Sequence, residues 1–195
     1  KVEFYSQNLA KHFPDDMERP PVPHWVERSD EHDDRLSSER AKKYPLLLMS
    51  NHGRWRVHAQ CDDISWTREA PTCKIKGPDG YYYEPLWIHP RDAGHRKINN
   101  GDIIQVFNER GAVLGGAYVT ERIMPGVVYM DHGARYDPIV PGELDRGGAI
   151  NTITPHYTTS KNATGMVCSG FLVEVAMANL EGLRRKYPGA FKRPY

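Results

Sequence analysis

The densest chemistry in this chain lies in eleven consecutive residues, Ser50-Asn51-His52-Gly53-Arg54-Trp55-Arg56-Val57-His58-Ala59-Gln60. They bring together two imidazoles, two guanidiniums, two side-chain amides, a hydroxyl and an indole. Arginine offers a planar fork of donors that matches phosphate or carboxylate. Backbone N–H groups in a Gly-containing loop at a strand end also suit an anion. The segment therefore reads as a loop for an anionic, hydrogen-bonding ligand, and the competing reading is a solvated loop that is basic by accident. If the stretch is extended, Arg54, Arg56 and His58 share one face, and Trp55 and Val57 share the other as core.

Three further groups stand where strands end. Asn151, Thr152 and Thr154 follow Gly147-Gly148, a pair that lets backbone approach a ligand closely; an Asx turn ending a strand is the plainer reading of Asn151. Lys161 and Asn162 are placed to continue that surface. His132-Gly133 follows the apolar run Val127-Val128-Tyr129-Met130. Asp131 and Asp145 could accept from exocyclic amino groups, or simply close turns.

The elements that must position these residues are short strands. Leu46-Leu47-Leu48-Met49, bounded by Pro45 and a polar turn, reads as a buried strand feeding the loop. Further strands are expected at 86–89, 102–108, 113–120, 126–130, 149–153 and 171–178, separated by Gly, Pro, Asn and Asp. The second and third of these form a hairpin turning at Glu109-Arg110-Gly111. Short helices are expected at 58–64 and at 90–95, the latter with Pro90 in its first turn, where a missing N–H costs nothing. Many short strands with turn signals point to a mainly β barrel or sandwich. Residues 1–44 read as an extended connector stiffened by Pro14, Pro20, Pro21 and Pro23, with an acidic run from Glu27 to Asp34 that lacks calcium-loop spacing. Trp25 and Val26 could anchor it. Residues 45–178 hold the barrel, and 179–195 form a basic tail, helical and then loose. Tyr81-Tyr82-Tyr83 reads as a packed edge.

Composition limits the function. Acids and bases nearly cancel, leaving a net charge of +1, so a general nucleic-acid binder is not expected. No stretch approaches the roughly 20 apolar residues of a membrane helix. Cys61, Cys73 and Cys168 are widely spaced, with no metal-ligand pattern, and imply no disulfide framework. A reducing compartment, the cytoplasm, is the matching expectation. The chain starts with Lys1 rather than Met and reads as a piece of a longer polypeptide.

The order of segments carries a resemblance. Leu46–Ser50 leads to Arg56-Val57-His58-Ala59-Gln60, then Leu86-Trp87-Ile88-His89-Pro90-Arg91-Asp92-Ala93. Ile98-Asn99-Asn100-Gly101-Asp102 through Gly111 follows, then Ala117-Tyr118-Val119-Thr120-Glu121-Arg122 through Val128, and last Gly148-Ala149-Ile150-Asn151-Thr152-Ile153-Thr154. This resembles the C-terminal molybdopterin-dinucleotide-binding domain of the dimethyl sulfoxide reductase family of molybdenum and tungsten enzymes, over residues 1–6 and 45–178. Asn51–His58 and Asp145–Gly148 are most similar to the large subunits of pyrogallol–phloroglucinol transhydroxylases.

The resemblance implies a six-stranded double-psi β-barrel acting as the lid of a larger catalytic subunit. The implied cofactor is bis(molybdopterin guanine dinucleotide) carrying molybdenum or tungsten, with the metal ligated outside this chain. Implied partners are the remaining domains of that subunit and an iron–sulfur small subunit. The implied cofactor-binding residues are Ser50, Asn51, His52, Arg54, Arg56, His58, Gln60, His132, Asp145, Asn151, Thr152, Thr154 and Lys161; no catalytic residue and no metal ligand is assigned. The implied activity is hydroxyl transfer on a polyhydroxylated aromatic, with another molybdopterin oxidoreductase as the near alternative, and the chain alone is expected to be inactive. Two readings of other classes compete: a stand-alone protein-interaction psi-barrel, and a small self-contained enzyme. The latter would need an activated nucleophile, and Ser169-Gly170 is in the wrong order for a processed Gly-Ser site.

Overall fold

The computed structural model describes residues 2–17, 19–23, 34–158 and 165–192. The chain divides into two compact units, Lys1–Asp33 and Asp34–Tyr195. In the first, a six-residue helix, α1 (Gln7–His12), stands where only an extended connector was expected. Ser6 caps it, its hydroxyl accepting from the Leu9 N–H at 3.3 Å. Ser6 N–H also donates to the Pro21 carbonyl. Trp25, Val26 and the acidic run up to Asp33 lie outside the described residues.

The second unit is the barrel. Its strands are β1 (Leu46–Met49), β2 (Ile75–Lys76), β3 (Tyr82–Tyr83), β4 (Pro85–Ile88), β5 (Ile103–Asn108), β6 (Gly111–Val119), β7 (Val127–Tyr129), β8 (Pro138–Val140), β9 (Leu144–Asp145) and β10 (Phe171–Met177). Its helices are α2 (Ser65–Arg68), α3 (Pro90–His95) and α4 (Leu180–Lys186). The main sheet runs β4-β7-β1-β10-β5-β6, and a further β4–β6 pairing closes it into a six-stranded barrel. Within the six-stranded barrel two pairings are parallel, β1 with β7 and β4 with β6, and the others antiparallel; β6 also pairs in parallel with β9. This is the mainly β, closed six-stranded architecture expected from the sequence. Strands β9 and β8 extend it beyond β6, and β2–β3 form a separate ribbon.

Alternation along the strands builds the core. Leu46 and Leu48 of β1, Ile104 and Val106 of β5, and Phe171, Val173 and Val175 of β10 all point into one cluster, joined by Leu86, Ile88, Val128 and Met130. The β5–β6 hairpin turns in two residues, with Asn108 opposite Gly111. In α3, Pro90 occupies the first turn and the His89 ring accepts from Arg91 N–H at 3.1 Å.

Three expectations are corrected. Residues 149–153 do not form a strand; Ile150–Thr152 is a 3-10 turn. Ile150 and Ile153 are both buried, and a spacing of three places them on one side of such a turn, where a strand would send them to opposite faces. Residues 58–64 do not form a helix, because His58 (φ 50°) and Cys61 (φ 65°) adopt left-handed backbone and interrupt it; the helix starts at Ser65. The tail is not loose through Lys192. After α4, residues Ala190–Lys192 form a 3-10 turn, and Leu183, Tyr187 and Phe191 pack on a second cluster built from Tyr81, Tyr83, Ile103, Leu114 and Ile139. Strands β2, β3, β8 and β9 span only two or three residues each, too short for periodicity to register.

Candidate functional site

Strand register assembles the site at one end of the barrel. β1 and β7 run parallel, with Met49 beside Tyr129, so the loops after both strands leave from the same end. Leu48 pairs with Phe171 at the start of β10, and β10 pairs in turn with β5 near its close at Asn108. The hairpin residue Asn108 donates to the Ile153 carbonyl at 2.9 Å, which brings the 151–154 turn to that end as well.

Here the 50–60 loop meets the segment after β7. His52 and His132 form a parallel bridge, and His132 N–H donates to the Asn51 carbonyl. Gly133 (φ +87°) passes so close to His58 that a Cβ there would stand 2.5 Å from the His58 Cα. Three imidazoles gather as a result: ring centroids are 4.2 Å apart for His52–His132, 4.9 Å for His52–His58 and 5.3 Å for His58–His132.

Beneath them lies a buried ionic quartet. Arg56 meets Glu84 at 2.8 Å and Asp62 at 3.2 Å; Lys74 meets Asp62 at 2.9 Å and Glu84 at 2.7 Å. All four side chains are at most 2 % exposed. Arg56 also donates to the carbonyls of His132 (3.0 Å) and Asp131 (3.3 Å), so one guanidinium ties the quartet to the histidine segment. Burial works against the Arg56 charge, but Glu84 and Asp62 outweigh it and hold the group protonated. Burial pushes Glu84 upward while Lys74 and Arg56 pull it back. The net effect holds the Glu84 carboxyl above its ordinary value, although both of its oxygens lie beside cationic groups.

Orphaned polar atoms mark the same end of the barrel. Ser50 Oγ, Trp55 Nε1, Arg56 Nε and His132 Nδ1 are buried without a hydrogen-bond partner among the described residues. Each such atom costs about 1–3 kcal/mol if nothing meets it. They leave donors and acceptors that a bound polar group or ordered water would meet. Pterin rings and pyrophosphate have the matching inventory of donors and acceptors, so these residues fit such a group.

The structure separates the sequence-predicted residues into distinct settings. Asn51, His52, Arg54, His58 and Gln60 are exposed around the histidine cluster, as is Asn151 at the neighbouring turn. Thr152 is half-buried. Ser50 is buried with its hydroxyl unspent. Arg54 lies over the Trp55 ring at 4.8 Å. The expected alternation fails: Arg56 turns inward while Val57 is 63 % exposed, because the segment is a turn closed by reciprocal Val57–Gln60 backbone bonds. Thr154 is buried and its hydroxyl donates to the Asn151 carbonyl. Asp145 is fully buried and accepts from the N–H groups of Asp137 and Ala149, both at 2.7 Å, so it acts as a turn aspartate. Gly147 and Gly148 give close passage past protein rather than ligand: Cβ atoms there would stand 2.1 Å from the Arg135 carbonyl oxygen and 2.5 Å from Glu84 Cβ. Lys161 lies outside the described residues. The sequence reading missed Asp62, Lys74 and Glu84. A Lys and a Glu flanking the Tyr81–Tyr83 stretch were their only local trace.

The cluster sets a pH dependence. Burial, then His52, His58 and Arg56, hold His132 below the ordinary imidazole value of 6.5, with Asp131 acting in the other direction. The folded chain resists a proton that the unfolded chain accepts. The stability contributed by neutral His132 is therefore present above about pH 6.5 and is lost as pH falls from there through the lower folded value. Urea midpoints measured between about pH 5 and 8 should fall on the acid side. His132→Asn should flatten that leg, and an unchanged slope in the variant would rule out this assignment.

Residues 46–168 match the family model described as Molydopterin dinucleotide binding domain. The chain is 35 % identical over 192 residues to a dimethyl sulfoxide/trimethylamine N-oxide reductase of Cereibacter sphaeroides, covering 97 % of this chain and 20 % of the relative. It is 36 % identical over 181 residues to trimethylamine-N-oxide reductase 1 of Escherichia coli K12, covering 91 % and 20 %. The chain thus spans about a fifth of the length of these relatives. Its backbone is similar to part of acetylene hydratase from Pelobacter acetylenicus, with a TM-score of 0.64 and 18 % identity over 91 % of this chain and 23 % of that one, a likeness of fold alone. The chain belongs to the molydopterin dinucleotide binding domain family.

Proposed function

We propose that this chain is the pterin-dinucleotide-binding part of a larger molybdenum oxidoreductase subunit of the kind that reduces small sulfoxides or amine N-oxides. The observation that carries the reading is the group of four orphaned buried atoms, on Ser50, Trp55, Arg56 and His132, at the mouth of a barrel whose family binds such a cofactor. His52, His58, His132, Asn51, Arg54, Gln60 and Asn151 would hold the pterin and phosphate groups, and Ser50 Oγ and Trp55 Nε1 would find their missing partners there. When bound, the cofactor supplies the metal-centred oxygen-atom and electron transfer. The chain's own part is to bind, orient and shield it from water.

Hydroxyl transfer on polyhydroxylated aromatics rests on the local flavour of Asn51–His58 and Asp145–Gly148. Identity to oxide reductases over more than nine-tenths of the chain favours reduction instead. The other domains of the subunit complete the enzyme in this reading, and the chain alone turns nothing over.

The test is a titration of the 195-residue chain with a soluble reduced pterin and, separately, with GDP, followed by amide shifts. Shifts in 50–60, 130–133 and 151–154 are expected with at least one of the two. A response confined to the β2–β3 ribbon or α4, or none at saturating pterin and GDP, would overturn the reading and favour a protein-interaction module.

A further inference from the structure

One buried carboxylate, that of Asp34, joins parts of the barrel unit that lie far apart in sequence. Its side chain is 2 % exposed. Oδ1 accepts from the Leu172 N–H at 2.8 Å and from the Arg40 guanidinium. Oδ2 accepts from the Tyr157 hydroxyl at 3.0 Å and from Arg110 at 3.5 Å. A carboxylate offers about four lone-pair sites, and these donors match that capacity. Leu172, Tyr157 and Arg110 stand 138, 123 and 76 residues along the chain, in β10, in the segment after the 3-10 turn and in the β5–β6 hairpin.

These partners surround the turn at 150–154. The Ile153 carbonyl accepts from Asn108 at 2.9 Å and from Arg110 at 3.5 Å, so the arginine that reaches Asp34 with one nitrogen reaches the turn with the other. Asn108 also donates to the carbonyl of Leu172, the residue whose N–H meets Asp34. Tyr157 holds the chain just beyond Thr154. Gly111 admits the turn from the hairpin side: a Cβ there would stand 2.9 Å from the Thr152 carbonyl oxygen. A three-residue 3-10 turn has poor hydrogen-bond geometry and little strength of its own. Its place is set from outside, by this network, while Asn151 stays exposed.

Asp34 belongs to none of the strands and precedes β1. A buried charge cluster adds little net stability, since packed apolar side chains of the same volume serve as well or better. What charge-assisted, directional bonds add is a fixed geometry. A ligand contact needs its side chain held to within about 0.5 Å.

We propose that Asp34 is a positioning residue of the cofactor site: through Arg110, Tyr157 and the Leu172 N–H it fixes the 150–154 turn where Asn151 meets the pterin or its phosphates. This deepens the proposed function and rests on that reading for the ligand.

The experiment compares the 195-residue chain with Asp34→Asn, which keeps the shape and removes the charge. Affinity for the soluble reduced pterin or for GDP, whichever the chain takes up, is expected to fall about tenfold, the size of one lost hydrogen bond to a charged group. The Thr152, Ile153 and Leu172 amides should exchange faster, and those of β4 and β7 should not. Ile98→Ala, a core change outside the network, separates positioning from stability: it should lower the urea midpoint at least as far and leave affinity unchanged. Should Asp34→Asn fold poorly by circular dichroism, Tyr157→Phe decides; it removes one donor and should show the same pattern at smaller size. Equal loss of affinity in Ile98→Ala, or no faster exchange at the turn, overturns the assignment. A chain that binds pterin or GDP equally well with and without the Asp34 substitution keeps the proposed function and loses this inference. If the unmodified chain binds neither, the proposed function falls, and exchange at Thr152 and Ile153 alone decides whether Asp34 sets the turn.

Discussion

Lys74→Ala is expected to lower the stability of the 195-residue chain by about 3–5 kcal/mol, the range for removing one partner of a buried ion pair. The Lys74 ammonium is fully buried and contacts Asp62 at 2.9 Å and Glu84 at 2.7 Å. Without it, two carboxylates face a single guanidinium in a site shielded from bulk solvent. The cost comes from the charge left behind, so it should shrink when the balance is restored. Lys74→Met combined with Glu84→Gln leaves Arg56 facing Asp62 alone, and the double variant should be less destabilised than the sum of its singles. Lys42→Ala is the control: its pair with Glu39 is exposed, and the loss should stay within a few tenths of a kcal/mol. Urea unfolding followed by far-ultraviolet circular dichroism reads all of these. A loss below about 1 kcal/mol for Lys74→Ala would show that the quartet is not a structural unit.

Asp145→Ala should cost about 2–5 kcal/mol. The carboxylate is fully buried and accepts from two backbone N–H groups, those of Asp137 and Ala149. Alanine leaves both donors buried and unmet, at about 1–3 kcal/mol each. Burial pushes the Asp145 carboxyl up, and the backbone donors pull it back. Asp145→Asn keeps one acceptor oxygen and should lose less. The sharper readout is amide exchange: Asp137 and Ala149 should speed up together in Asp145→Ala, while the β5–β6 ladder does not. If the two amides kept their protection, the carboxylate would not be what holds this corner.

What the sequence disclosed follows the range over which each signal acts. β1 was legible because Leu46–Met49 is an apolar run bounded by Pro45; α3 because Pro90 opens it; the β5–β6 hairpin because Glu109-Arg110-Gly111 is a turn signal between two strand-like runs. These are local patterns. The Ser50–Gln60 loop was legible as a donor-rich segment for the same reason. The destination of Arg56 was not, because its partners Asp62 and Glu84 lie 6 and 28 residues away and the turn that aims it inward depends on left-handed backbone at His58. The meeting of His132 with His52 and His58 is invisible to any window of sequence; it follows from the parallel register of β1 and β7. Asp145 and the Gly147-Gly148 pair carry the types expected of a ligand contact, yet neighbouring protein claims them, because close packing demands small residues and satisfied N–H groups as strictly as ligands do.

The placement of β10 has a consequence for how the chain reaches this form. β10 lies between β1 and β5, pairing Leu48 with Phe171 and Val106 with Val175. Both flanking strands therefore keep bare edges while more than sixty intervening residues leave the ribosome. Closing such long loops is entropically slow, and open edges invite pairing with other chains. Synthesis delivers the strand that seals the barrel last among its six. Until then, the nascent chain exposes unpaired strand edges and apolar surface rather than a finished fold.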